Sequence, residues 1–198
     1  PGTLGIAFTA AGRTPAELQA AIADATGMVS SPAQRWPPGD REFLSQIVLI
    51  EPLERRNAAA LGYDMLSEPI RAEAMNRARL SGDAALSGRV RLVQEVDIEK
   101  QPGLLLYIPL ARGMAGEGRS RFVGWLYSPL RAHDLFDTIF ATPDFEGLAV
   151  AVHDGEPTDD NRLYGSDDFL RDHIVGQRRV AIAGRSLTVS VAHAQSGW

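Results

Sequence analysis

The sequence predicts an α+β fold of two small lobes, each built on an antiparallel sheet. Three observations lead there. Apolar and β-branched runs have strand length, capped helical patterns are interspersed among them, and strand and helix do not alternate strictly as a parallel doubly wound sheet requires. A division between Tyr127 and Leu135 leaves a helix and a second meander on its C-terminal side.

Thr3 to Thr9 reads as the first strand. Thr14-Pro15-Ala16-Glu17 then offers a helix start, with Thr14 as cap, proline at the first helical position and Glu17 closing a capping box. That helix is expected to run to about Ala25 and stop at Gly27. Residues 31–40, rich in proline, form a loop, and Phe43 to Leu53 holds a buried strand centred on Ile47-Val48-Leu49-Ile50. A helix from Ser67 to Gly82 has Ser67 as cap and Pro69 in its first turn. Ile70, Ala74 and Ala78 would form its apolar stripe, Glu73 and Arg77 a pair four apart, and Gly82 a left-handed stop. Strands follow at Ala84 to Leu86, Arg89 to Glu95, Gly103 to Leu110 and Arg121 to Tyr127, with residues 111–120 as a hairpin loop. A helix from Ala132 to Phe140 opens the second lobe. Strands at Leu148 to His153, Arg178 to Ala183 and Ser186 to Ala192 complete it, with a short helix at Asp167 to His173.

Composition sets limits on function. With 198 residues, 44% hydrophobic and 23% charged, the chain can bury a core of ordinary size. A net charge of −5 argues against nucleic acid as a partner, since phosphate binding needs a concentrated basic surface. The charge is uneven: residues 134–198 hold eleven acidic and five basic groups, which reads as a solvated acidic lobe. Cysteine is absent, which excludes disulfides and thiolate-ligated metals. No segment approaches the roughly 20 apolar residues that span a bilayer. The abrupt start at Pro1-Gly2, with no leader pattern, suggests a fragment of a longer protein.

Catalytic chemistry finds no motif. His133, His153, His173 and His193 stand twenty apart, unlike the short spacing of metal ligands on one helix face. Asp154 to Asn161 lacks the alternating oxygens and closing glutamate of an EF-hand and reads as a solvated turn. Neither a nucleophile elbow nor a phosphate-cradling glycine loop occurs, and no cofactor is expected. The chain is not expected to be an enzyme. Lys100 is the sole lysine; among the seven arginines from Arg55 to Arg91, some could grip an anion bidentately, though surface ion pairs suit their scattered spacing better.

One ordered series of residues goes beyond composition. It comprises Glu51-Pro52, Asn57, Gly62, Asp64, Pro69, Ala78-Arg79, Gly82, Ser87 and Leu92, followed by Pro102-Gly103, Leu105, Tyr107, Pro109, Gly124, Pro129 and Arg131. In order and spacing it resembles the CHASE family, sensor domains outside the membrane in histidine kinases and cyclases. The resemblance covers about two-thirds of the chain and fades after residue 140. It implies two PAS-like lobes, 1–130 membrane-distal and ligand-binding, 131–198 membrane-proximal, with the long N-terminal stalk helix missing from this fragment. It also implies a homodimer in the periplasm, membrane helices in flanking segments, and a histidine kinase or diguanylate cyclase or phosphodiesterase output. In the cytokinin receptors of the family an aspartate and a threonine contact an adenine-like ligand; the matching positions are Ile47, which lacks the acceptor, and Ser87.

The residues themselves point to the same region. Strands at Ile47 to Leu53, Arg89 to Glu95 and Leu104 to Leu110 under the helix would enclose a mostly apolar cavity for a small molecule. Ile47, Leu49, Met65, Met75, Ser87, Arg91, Leu105 and Tyr107 are the candidate ligand contacts. Met65, Met75, Leu105 and Tyr107 equally suit plain core, the commoner role for such side chains. Asp64 is expected to hold the Gly62 turn instead of touching ligand. The rival readings are a ligand-free structural or dimerisation module and, less favoured, a small hydrolase.

Overall fold

The computed structural model describes residues 5–27, 33–93, 101–113 and 120–194. Strands β1 (Ile6–Gly12), β2 (Leu44–Glu51), β3 (Ala85–Leu86), β4 (Gly103–Gly113) and β5 (Ser120–Arg131) form one antiparallel sheet in the order β2-β1-β5-β4-β3. Strands β6 (Leu148–Asp154), β7 (Arg162–Gly165), β8 (Ile174–Ile182) and β9 (Arg185–His193) form a second, in the order β7-β6-β9-β8. The helices are α1 (Pro15–Thr26), the single turn α2 (Arg55–Ala58), α3 (Pro69–Ser81) and α4 (Ala132–Phe140).

Helix α1 begins as its capping box requires. Thr14 Oγ1 accepts from Glu17 N at 3.1 Å, and the Glu17 carboxylate accepts from Arg13 N at 2.9 Å. It ends at Gly27 in the left-handed conformation. Its apolar side, Leu18, Ala21 and Ile22, packs on Phe8, Ala10, Val48 and Val123 of the five-stranded sheet. Helix α3 covers the opposite face, setting Ala74, Met75 and Ala78 against Ala7, Ile47, Ile50, Leu105, Tyr107, Trp125 and Tyr127. A bulge opposite Phe8 and Thr9 makes this possible. The extra residue puts Ile47 and Ile50 on the α3 side and Val48 on the α1 side, so a continuous apolar run serves two cores.

A second irregularity sits at Gly124, where φ is +150° and an added Cβ would lie 2.1 Å from the Thr9 carbonyl oxygen. Only glycine lets β5 approach β1 so closely.

The two sheets share a core. Leu86 and Leu104 of the first sheet pack with Ala132 and Phe136 of α4 and with Val150, Val152, Leu163 and Leu187 of the second. Polar ties reinforce this contact. Leu86 N donates to Ala183 O at 2.9 Å, and Arg77 donates to the carbonyls of Leu86 (2.6 Å) and Gly184 (3.4 Å).

Several expectations need correction. Glu68, not Ser67, caps α3: its carboxylate accepts from Ile70 N and Arg71 N, each at 3.0 Å. The buried stripe of α3 is Arg71, Ala74, Met75 and Ala78, and Ile70 is half exposed. The strand expected from Arg89 is reduced to one bridge between Val90 and Gly103, because Leu92 turns inward onto Gly103; residues 94–95 lie outside the described residues. The hairpin expected at 111–120 keeps its strand as far as Gly113 and resumes it at Ser120; residues 114–119, like 1–4 at the start of the first strand, lie outside the described residues. The helix expected over Asp167 to His173 is a single 3-10 turn, Arg171–His173. Strand β7 was hidden behind the acidic turn that precedes it.

Candidate functional site

The α3 face of the five-stranded sheet gathers several buried polar groups. The register aligns Ile50, Ala7, Tyr127, Tyr107 and Ala85 in one row across the strands, and Ile47, Thr9 and Trp125 in the next. Above these rows lies α3, fixed by the Trp125 indole N–H, which donates to Met75 O at 2.9 Å. The Tyr107 and Tyr127 rings stand 5.8 Å apart. Their hydroxyls and Thr9 Oγ1 are buried with no hydrogen-bond partner among the described residues. Burial drives both phenols well above the ordinary tyrosine range, with the nearby Arg71 charge pulling the other way. Both therefore stay protonated at neutral pH.

Arg71 joins this interior to the surface. It is 4% exposed, yet it stands in the apolar stripe of α3, one turn before Met75. Its Nη1 donates to Tyr63 Oη at 3.1 Å and its Nη2 to Arg91 O at 2.5 Å, with the guanidinium over the Tyr63 ring. Arg71 also lines an open cleft of about 470 Å³ between the start of α3 and the chain around Val90, walled by Glu68, Ile70, Arg89, Val90, Arg91, Gln101 and Pro102. The size falls in the range of small-molecule sites.

The eight predicted contacts separate into groups. Ile47, Met65, Met75, Leu105 and Tyr107 come together in the core under α3, each 2% exposed or less. Ser87 is buried beside them, its hydroxyl donating to Gly88 O at 2.8 Å and accepting from Leu105 N at 2.9 Å. Arg91 is exposed on the cleft wall. Leu49 is not in this group: it pairs with Phe8 on the α1 side and is 45% exposed. Sequence reasoning did not single out Arg71, Glu68, Tyr63, Tyr127 or Gln101. A signal for Arg71 existed, since an arginine three and four residues before Ala74 and Met75 sits on a buried helical face.

Among the described residues no cluster of acids and histidines is placed to hold a metal ion, and no helix is long and apolar enough to cross a membrane.

The CHASE domain family matches residues 1–164. The chain belongs to the CHASE domain family. It is therefore an extracytoplasmic sensor domain. Among solved structures this CHASE domain is similar to an extracellular ligand binding receptor from Desulfohalobium retbaense DSM5692, at 15% identity and a TM-score of 0.46. That match takes in 75% of this chain and 28% of the receptor, so the CHASE chain spans little more than a quarter of that protein's length. No curated protein matches the sequence.

Of the residues that carry the CHASE pattern, Pro102 lines the cleft, and others make structural contacts. Asn57 Nδ2 donates to Pro52 O at 2.8 Å, Gly62 N bonds Ile47 O at 2.9 Å, and Arg79 lies over the Phe43 ring. Asp64 is fully buried. Its carboxylate accepts from Ser45 Oγ and Leu66 N and pairs with Arg35 and Arg41 at 2.8 and 2.9 Å, tying three stretches of chain together.

Proposed function

We propose that this CHASE domain receives a small molecule in the cleft between α3 and the Val90 segment, and that residues 1–130 are the PAS-like ligand-binding lobe. The carrying observation is the cleft itself, about 470 Å³ in volume and backed by the buried Arg71. In this reading residues 131–198 form the membrane-proximal PAS-like lobe of a dimeric inner-membrane receptor. Its output is a histidine kinase or a diguanylate cyclase or phosphodiesterase. Contacts at the cleft edge support a route for the signal. Gln101 Oε1 accepts from His133 N at 2.8 Å and Asp134 N at 3.3 Å at the start of α4, and Arg89 N donates to Asp154 of the second sheet at 2.9 Å. Ligand that reshapes this wall would bias both elements at once.

A ligand-free module is the second reading, favoured by the close packing of Ile47, Met75, Leu105 and Tyr107 in the core. A thermal-shift screen of the chain against small metabolites separates the two. The sensor reading expects a stabilising compound whose effect is lost in Ile70→Trp, which fills the cleft from its exposed rim. A screen with no stabilising compound, or stabilisation indifferent to Ile70→Trp, overturns it.

A further inference from the structure

We infer that the molecule taken by the cleft is an anion, a carboxylate or an acid of similar geometry gripped by Arg71; this rests on the cleft being the ligand site. The charge on Arg71 is buried and poorly compensated. Arg71 is 4% exposed, and the carboxylate paired with it, that of Glu68, lies 3.9 Å away, beyond hydrogen-bond reach. Both Glu68 oxygens are already engaged by Ile70 N and Arg71 N at the head of α3. The groups that do bond Arg71, the Tyr63 hydroxyl and the Arg91 carbonyl, are neutral. A buried cation left this way is costly unless something negative arrives.

The donor count leads to the same ligand. A guanidinium has five N–H groups; here one is taken by Tyr63, one by Arg91, and Nε has no partner among the described residues. The buried, unpaired Nε–H lies on the edge of the guanidinium that a carboxylate accepts bidentately. The surroundings add to the field: Arg89 and Arg91 also line the cleft, so among the described residues that line it three arginines stand with the carboxylate of Glu68. A concave site of one sign concentrates ligands of the other. Arg89 is partly engaged, its Nη1 donating to Asp160 O at 3.0 Å, which leaves Arg71 and Arg91 as the readers of charge.

Matched acids and amides test this. Benzoate against benzamide, and glutarate against glutaramide, would be titrated into the chain by calorimetry with thermal shift alongside. The acid of at least one pair is expected to bind about tenfold more tightly than its amide, and more weakly as salt rises. Arg71→Gln should remove that preference, and Arg91→Gln, at an exposed position, should reduce it. If Arg71→Gln does not fold, Arg71→Lys, which keeps charge but loses the fork, should still weaken the acid. The inference is overturned if amide and acid bind alike, if the acids ignore Arg71→Lys and Arg91→Gln, or if none of the four probes binds. Equal binding of both members that Ile70→Trp abolishes would sink the anion and leave the cleft standing; binding that Ile70→Trp does not touch would sink both.

Discussion

Asp64 shows how a residue with a polar, site-like look can be structural. Its carboxylate is fully buried, yet all its contacts are internal: two arginines, a serine hydroxyl and backbone amides. Removing one partner of a buried ion pair leaves charges and donors stranded, at roughly 3–5 kcal/mol. Asp64→Ala should therefore lower the unfolding free energy measured by urea denaturation by that amount, whereas Asp83→Ala, on the exposed turn after α3, should change it little. A local structural role was expected at the Gly62 turn, but the carboxylate caps the following 3-10 turn, Met65–Ser67; the pairing with Arg35 and Arg41 was not legible, because it spans 29 and 23 residues. His153 is the residue with a pH signature. It is buried in β6 with neither ring nitrogen bonded among the described residues, and burial, followed by Arg171 and Arg162, lowers its pKa. A depressed value means the unfolded chain binds more protons, so stability is intact above about pH 6.5 and falls as pH drops below it. Unfolding followed from pH 7.5 to 5 should show that loss, and His153→Leu should shrink it.

Helices were legible where their ends carry chemistry. The Thr14-Glu17 box and Gly27 bracket α1, and Gly82 stops α3, because each acts through contacts within a few residues. Thr14→Ala should cost about 1 kcal/mol in chemical denaturation, while Thr14→Ser should cost little. Ser67 is of the residue type that N-caps favour, and only the backbone shows that the helix starts one residue later, on Glu68. Strand reading failed where tertiary contacts override pattern. Arg89 to Leu92 alternates as a strand should, but Leu92 is claimed by Gly103 and pairing stops after Val90. Leu49 was misplaced by one inserted residue: a bulge reverses the side on which a side chain emerges, and nothing in the local sequence announces it.

At the scale of the molecule, the division proposed at residue 130 falls beside the junction where β5 ends at Arg131 and α4 begins. The sharing of Leu86 and Leu104 between sheets could not be read from sequence, since it depends on how the β8–β9 hairpin tip docks on β3. Asp154 concentrates that contact: it accepts from Arg185 Nε and Nη2 at 2.5 and 2.7 Å and from Arg89 N on the cleft wall. Asp154→Ala should raise hydrogen exchange at the amides of residues 86–90 with little change in α1. Equal protection in Asp154→Ala and the unsubstituted chain would mean that the wall is held by its own sheet alone.

The central claim is that the cleft between α3 and the Val90 segment is where the signal is received. Amide chemical shifts of the ¹⁵N-labelled chain, followed while a stabilising compound is titrated in, test this directly. Shifts gathered at residues 68–71, 88–91 and 101–103, with saturation at one site, are the predicted result. Shifts gathered on β8 and β9, with those three stretches unmoved, would contradict it.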